Sequence, residues 1–303
     1  MVERTVRAGT RTSRLAVWQT DHVLAGLTAA WPSLRVEATP FNTKGDQILD
    51  TPLPEIGGKG LFTAELESAI RAGAIDMAVH SLKDLPTSSP PGIVVASVLN
   101  RAEPLDALVS RNGQGLMDLP PGAVVGTSST RRAAQVLKHR PDLQIRSIRG
   151  NVPTRLQKVM DGLYDASILA VAGLVRLGLG EAITERFRPE VMLPAPGQGA
   201  IGVQCREDDR ELRGVLAAIE DDEARSTTTA ERAFLAGLQA GCSSPVGAYA
   251  RLAGDVLRLE GIVLSLDGRK EIQVRGEGRD PAALGKSLAA EALARGAAGL
   301  INA

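Results

Sequence analysis

Between Thr127 and Lys158 the sequence sets eight basic side chains, Arg131, Arg132, Lys138, Arg140, Arg146, Arg149, Arg155 and Lys158, against one acid, Asp142. Arginine matches a carboxylate or phosphate with two parallel N–H donors. In GTSSTRR and RSIRGNVPTRL the arginines fall where an apolar run gives way to a helical pattern. Such junctions present free backbone N–H groups and the positive end of the helix dipole. In an open α/β sheet the carboxyl ends of strands are also where ligands bind. Thr127, Ser128 and Ser129 add hydroxyls at the first junction, and Gly150 opens the second. The segment therefore points to a site for a polyanionic small molecule, with Arg131, Arg132, Arg149 and Arg155 as its ligands. Lys138, Arg140 and Lys158 read instead as a solvated helix face.

Other candidates are ambiguous by themselves. Arg11 and Ser13, in GTRTSRLA, repeat the junction pattern, although Ser13 could simply cap the helix. Arg176, in AVAGLVRLG, is a similar case. Lys83 and Asp84 follow the strand-like run AIDMAVHSL; they are placed for polar chemistry, or form an ordinary surface pair, which the residues alone favour. GGKGLF lacks the spacing and the Ser or Thr of a phosphate-binding loop, and is either a mobile loop carrying Lys59 or a plain turn. Cys242, between Gly241 and Ser-Ser-Pro, is a plausible nucleophile, while composition favours an inert thiol. Cys205, in an apolar strand run, reads as inert, and His80 as structural. No spacing suggests a metal.

These positions imply elements to hold them. TVRAGT reads as a strand and SRLAVWQTDHVLAGLTAAW as a helix; LFTAELESAIRAG and AIDMAVHSL repeat the pair. After Arg101 the same grammar recurs: AVVGTSS into TRRAAQVLKHR, LQIRSIRG into VPTRLQKVMDGL with Pro153 early in its helix, and DASILAVAG into LVRLGLG. This alternation predicts mainly parallel α/β architecture. LPAPGQGAIGVQCR reads as a linker and a strand returning to the first domain. Beyond Asp221 come a helix, ARSTTTAERAFLAGLQAG, and two strands, VLRLEGIVLSL and EIQVRGEG, joined at Asp267-Gly268, a hairpin signal. A last helix spans 281–295.

With 303 residues the chain is too long for one ordinary domain. Its zero net charge and 3% aromatic content argue against nucleic acid. Two cysteines are too few for a disulfide scaffold. MVERTVRAGTRTSR shows no apolar signal core, and the longest apolar run, Ser167 to Val175, is too short to span a bilayer. The expectation is a cytoplasmic protein with no membrane or nucleic-acid partner.

Taken together, GTRTSRLAVWQT, TKGDQILD, GGKGLFTAELE, DMAVHSLKDLP, GTSSTRR, RSIRGNVPTRL, DASILAVAGLVRLG, LPAPGQGAIGVQCR and GCSSPVGAYA resemble, in order and over almost the whole chain, the porphobilinogen deaminases (hydroxymethylbilane synthases). The resemblance implies two periplasmic-binding-protein-like α/β lobes flanking a cleft, plus a small C-terminal α/β domain with an antiparallel sheet. The expected boundaries are 1–99 with 197–218, 100–196, and 219–303. It implies a monomeric transferase of porphyrin and heme biosynthesis, which polymerises porphobilinogen with loss of ammonia and releases 1-hydroxymethylbilane. The primer is a dipyrromethane cofactor made from substrate and joined by a thioether to Cys242. By family match Asp84 is the catalytic carboxylate. Lys83, Asp84, Thr127, Ser128, Ser129, Arg131, Arg132, Arg149 and Gly150 bind the cofactor. Arg11, Ser13, Gln19, Lys59, Phe62, Arg149, Arg155, Arg176 and Gln198 bind substrate. The chain departs from bacterial relatives at Glu55, where Lys is frequent, and at Ser243 and Ser244. The competing class is a non-catalytic two-lobed anion-binding protein, which leaves Cys242, Asp84 and the third domain unexplained.

Overall fold

In the computed structural model, which describes residues 5–43, 63–241 and 244–301, the apolar runs become thirteen strands. They are β1 (Thr5–Arg11), β2 (Arg35–Phe41), β3 (Met77–Ser81), β4 (Ile93–Val98), β5 (Asp106–Ser110), β6 (Val124–Gly126), β7 (Gln144–Arg146), β8 (Ala166–Ala170), β9 (Glu185–Arg186), β10 (Ile201–Arg206), β11 (Val246–Ala253), β12 (Val256–Leu264) and β13 (Glu271–Gly278). The described α-helices are α1 (Arg14–Ala30), α2 (Ala64–Arg71), α3 (Thr130–His139), α4 (Val152–Met160), α5 (Val171–Arg176), α6 (Arg210–Leu216), α7 (Asp222–Gly237), α8 (Pro281–Ala294) and α9 (Ala297–Ile301).

The chain divides into two units. The described parts of the first are 5–43, 63–102 and 200–225. Its sheet runs β2-β1-β3-β10-β4, with β1 parallel to β2 and β3, and β10 antiparallel to β3 and β4. The returning strand expected from AIGVQCR is thus β10. Val6, Ala8, Met77, Val79, Ile201, Val203 and Cys205 meet Val23 and Leu27 of α1 in one buried core. Each large aliphatic side chain buried there contributes about 1.5–3 kcal/mol.

The second unit holds two sheets. One runs β7-β6-β8-β5-β9 with the same logic: β6 is parallel to β7 and β8, and β5 is antiparallel to β8 and β9. The other is the antiparallel β11-β12-β13, over which Phe234 of α7 and Leu284 and Leu288 of α8 bury their side chains. Gly268, at φ 71°, turns the chain between β12 and β13 as its Asp-Gly signal predicts. The molecule therefore has the expected fold class, α/β units with a small antiparallel sheet covered by helices, but each five-stranded sheet is mixed rather than mainly parallel, with two parallel and two antiparallel pairings.

Two differences have physical causes. DASILAVAG reads as a strand to Gly173, but the strand ends at Ala170 and Val171–Arg176 is helix. That helix starts without a side-chain cap, so nothing marks its beginning in the sequence. β2, β4, β5, β9 and β11 also escape the sequence reading; β2 is an exposed edge strand containing Pro40, which an edge tolerates.

Candidate functional site

In the first unit, Arg11 ends β1, and Ser13 caps α1 by accepting from the Ala16 N–H at 3.3 Å. From the next turns of α1, the buried Gln19 donates through Nε2 to Ser81 Oγ at 2.9 Å, at the end of β3. A single 3₁₀ turn, Leu82–Asp84, follows. Leu82 and Leu85 are buried, and the Leu82 N–H is held by the Ala200 carbonyl at 3.0 Å. These anchors leave Asp84 exposed, in the wall of a cavity of about 70 Å³ shared with Arg11, Ser13, Gln19, His80 and Ser81. Lys83 shares the turn but does not line the cavity. Among the described residues the Asp84 carboxylate makes no hydrogen bond or ion pair, so it stays available to a ligand.

His80, on β3, is buried and lines the same cavity. Burial pushes its pKa down to about 4, the nearby Arg11 adds to the effect, and Gln204 opposes it. The ring is therefore neutral at pH 7. The cavity thus offers a solvated carboxylate, a guanidinium and an uncharged imidazole side by side. Such a set can stabilise a developing cation while holding an anionic substituent.

In the second unit the arginines expected to meet a ligand divide into two groups. Ser129 caps α3, accepting from the Arg132 N–H, and Thr127 Oγ1 accepts from the Ser129 N–H at 3.1 Å. Arg131 and Arg132, in the first turn, are buried on Asp106. Arg131 Nη1 donates to Asp106 Oδ2 at 2.6 Å and to the Leu193 carbonyl at 2.7 Å. Arg132 reaches Asp106 Oδ1 through Nε at 3.0 Å and Nη2 at 2.6 Å, and the Ile168 carbonyl through Nη1 at 2.9 Å. Gln198 donates to the same Asp106 oxygen at 3.0 Å and to the Pro104 carbonyl at 2.7 Å. Burial lowers the pKa of Arg131, Asp106 raises it, and Arg132 lowers it again.

Arg149, Arg155 and Arg176 are partly buried. Arg155 Nε donates to the Gly150 carbonyl at 2.7 Å, within the turn that Asn151 caps. Arg176 donates to the Gly199 carbonyl at 2.7 Å, and burial brings its pKa down to about 10. Burial likewise lowers that of Arg149. Ser128 is turned to the Ile148 backbone, accepting from its N–H at 3.2 Å and donating to its carbonyl at 2.8 Å.

The solvated basic face is corrected by the structure. Lys138 pairs with Glu271 at 2.5 Å, Lys158 donates to the Arg149 carbonyl at 3.1 Å, and Arg140 holds the carbonyls of Leu116, Met117 and Leu119. Each is tied down by an acceptor too far along the chain for spacing to reveal. Lys59, Phe62 and Cys242, with Glu55 and Ser243, lie outside the described residues.

Two acids were not singled out by sequence. Asp106 is a lone acid at the head of an apolar run, which gives no signature. Glu231, fully buried on α7, accepts from the Gly197 N–H through Oε2 and the Ala250 N–H through Oε1, each at 2.8 Å, and so fixes the segment bearing Gln198.

Residues 6–214 match the family model described as porphobilinogen deaminase, dipyrromethane cofactor binding domain, and residues 226–294 match that of the porphobilinogen deaminase C-terminal domain. A porphobilinogen deaminase of Roseiflexus castenholzii is 52% identical over 97% of both chains. One from Roseiflexus sp. (strain RS-1) is 51% identical over 99% of both. Among solved structures, an ancestral arginine-binding protein bound to arginine is 16% identical over 72% of this chain and 92% of its own, with a TM-score of 0.39, too slight a likeness to argue from.

Proposed function

We infer the roles of these residues from one premise: this chain belongs to the porphobilinogen deaminase family. It is a transferase that polymerises porphobilinogen to hydroxymethylbilane on a dipyrromethane cofactor. A non-catalytic anion-binding role is not favoured.

Each pyrrole of the cofactor carries an acetate and a propionate, and the donor set of the second unit suits them. Arg131 and Arg132 have N–H groups beyond those taken by Asp106 and two carbonyls. Together with Arg149, Thr127, Ser128, Ser129, Gly150, Lys83 and Asp84 they are proposed to hold the cofactor, with Cys242 as its thioether. When bound, the cofactor supplies the electron-rich carbon to which the first substrate is joined. Arg11, Ser13, Gln19, Lys59, Phe62, Arg149, Arg155, Arg176 and Gln198 are proposed to hold substrate. Ser13 already accepts from the Ala16 N–H and would donate through its hydroxyl, while both amide hydrogens of Gln198 go to Pro104 and Asp106, so that Gln198 would meet substrate through Oε1 as an acceptor.

Each addition forms one C–C bond from the substrate methylene to the terminal pyrrole carbon, breaks the methylene–nitrogen bond and that carbon's C–H bond, and releases the nitrogen with the displaced proton as ammonia. Positive charge develops on the substrate pyrrole as the amine departs. The Asp84 carboxylate opposes that charge and can take the pyrrole N–H proton in a hydrogen bond. Arg11 binds a substituent carboxylate, and neutral His80 adds no opposing charge. The observation that carries this reading is Asp84 itself, exposed in the cavity wall on a turn fixed by two buried leucines.

The three-part division at 1–99 with 197–218, 100–196 and 219–303 is proposed with it, as are a cytoplasmic site and a monomeric state. No helix among the described residues is long and apolar enough to cross a membrane. The test is the intact mass of the purified chain. A mass excess of two pyrrole units is expected in wild type and in Cys205→Ser, and none in Cys242→Ser. An excess persisting in Cys242→Ser would overturn the thioether assignment.

A further inference from the structure

Asp106 is the first residue of β5, in register with Ala170 of β8, and its backbone carbonyl accepts from the Phe187 N–H at 2.9 Å. It is fully buried, yet three side chains converge on its carboxylate: Arg131 on Oδ2, and Arg132 and Gln198 on Oδ1. A buried carboxylate with two guanidiniums is a costly way to hold a fold together, because apolar residues of similar volume do it as well or better. It is an effective way to fix the direction of two planar cations. Helix α3 gives Arg131 and Arg132 their starting points, but long side chains on a first turn keep several rotamers. Asp106 removes that freedom, and the carbonyls of Leu193 and Ile168 complete the clamp. Both guanidiniums keep N–H groups with no acceptor among the described residues.

We propose that Asp106 is a positioning residue for cofactor assembly: its carboxylate aligns Arg131 and Arg132 as one preset pair, which then meets the carboxylates of the growing primer. This rests on the reading that Arg131 and Arg132 hold those carboxylates. Preset donors lose less freedom on binding than mobile ones, so alignment acts on the rate and extent of priming. An amide at this position would turn an N–H₂ group toward guanidinium donors and release the pair.

The experiment follows self-priming by intact mass in full-length apo protein, prepared without substrate and then given porphobilinogen. Asp106→Asn is expected to slow the mass increase at least tenfold. Asp106→Glu, which keeps the charge but moves it by a methylene, should slow it by a smaller factor and remains testable if Asp106→Asn does not fold. In an Arg131→Gln/Arg132→Gln background, adding Asp106→Asn should slow priming no further, because Asp106 acts through those side chains. Normal priming in folded Asp106→Asn or in Asp106→Glu would overturn the proposal, as would a full additional loss in the arginine-deficient background. Normal priming in Arg131→Gln/Arg132→Gln alone would instead overturn the reading beneath it.

Discussion

Arg140 Nη2 donates to the carbonyl of Leu119 at 2.8 Å, joining the end of α3 to a turn twenty-one residues earlier in the chain. Nη1 holds the carbonyls of Leu116 and Met117, each at 3.0 Å. The accompanying pair with the exposed Asp142 adds little, since exposed ion pairs are weak. Arg140→Ala removes a donor fork from three carbonyls, and a loss of about 1–3 kcal/mol is expected, read as a lower melting temperature. Turnover per folded molecule should not change. Arg140→Lys should recover little, because an ammonium cannot span that fork. An unchanged melting temperature in Arg140→Ala would make the contacts incidental.

His80 links stability to pH. In the unfolded chain it takes up a proton near 6.5, but in the folded protein only near about 4. Between those values the unfolded state binds more protons, so stability is complete above pH 6.5 and falls as the pH drops toward 4. The full loss from this one group is up to about 3 kcal/mol. Urea titrations at pH 7 and pH 5 should show the wild type losing more stability than His80→Asn, which has nothing to protonate. Equal losses in both would mean that other groups govern the acid limb.

Gly150 sits at φ 110°, where an L side chain is strained, and an added Cβ would lie 2.9 Å from Thr154 Cβ. Gly150→Ala should cost about 1–3 kcal/mol. It would also displace the carbonyl that fixes Arg155 Nε at 2.7 Å. If Arg155 binds a substrate carboxylate, KM should rise by a larger factor than kcat falls. A variant with lowered stability and unchanged KM would separate Arg155 from substrate binding.

What was legible in the sequence was local. Ser13 was readable as a possible cap and Pro153 as an early-helix residue, and in the structure Ser13 caps α1 and Pro153 lies in the first turn of α4. Asp84 was visible after an apolar strand, but the residues alone favoured a surface pair and only the family resemblance singled it out. The start of α5 was hidden because no cap marks it. Asp106 was hidden because its partners Arg131 and Arg132 lie 25 and 26 residues away, and no periodicity spans that distance. The environment of His80 depends on Gln204, which reaches it only because β10 returns to pair with β3. Spacing reveals what one element presents; burial and charge pairing appear only when separate elements are packed.

Asp84 separates binding from chemistry. Its carboxylate is exposed and makes no bond among the described residues, so its removal should leave the fold intact. The charge it opposes develops only as ammonia leaves, and an interaction stronger in the transition state than in the ground state acts on turnover rather than affinity. Asp84→Asn keeps the shape and loses the charge. Primed Asp84→Asn is expected to melt like the wild type, to bind porphobilinogen normally, and to turn over at least ~100-fold more slowly. Asp84→Glu restores the charge one methylene farther out and should keep more activity than Asp84→Asn. The primer must be supplied before the measurement, because a variant unable to react cannot build its own. Single-turnover rates on primed protein then give the answer. Near-normal turnover in Asp84→Asn, or a defect confined to substrate affinity, would remove Asp84 from the reaction and leave Arg11 and His80 lining a binding cavity.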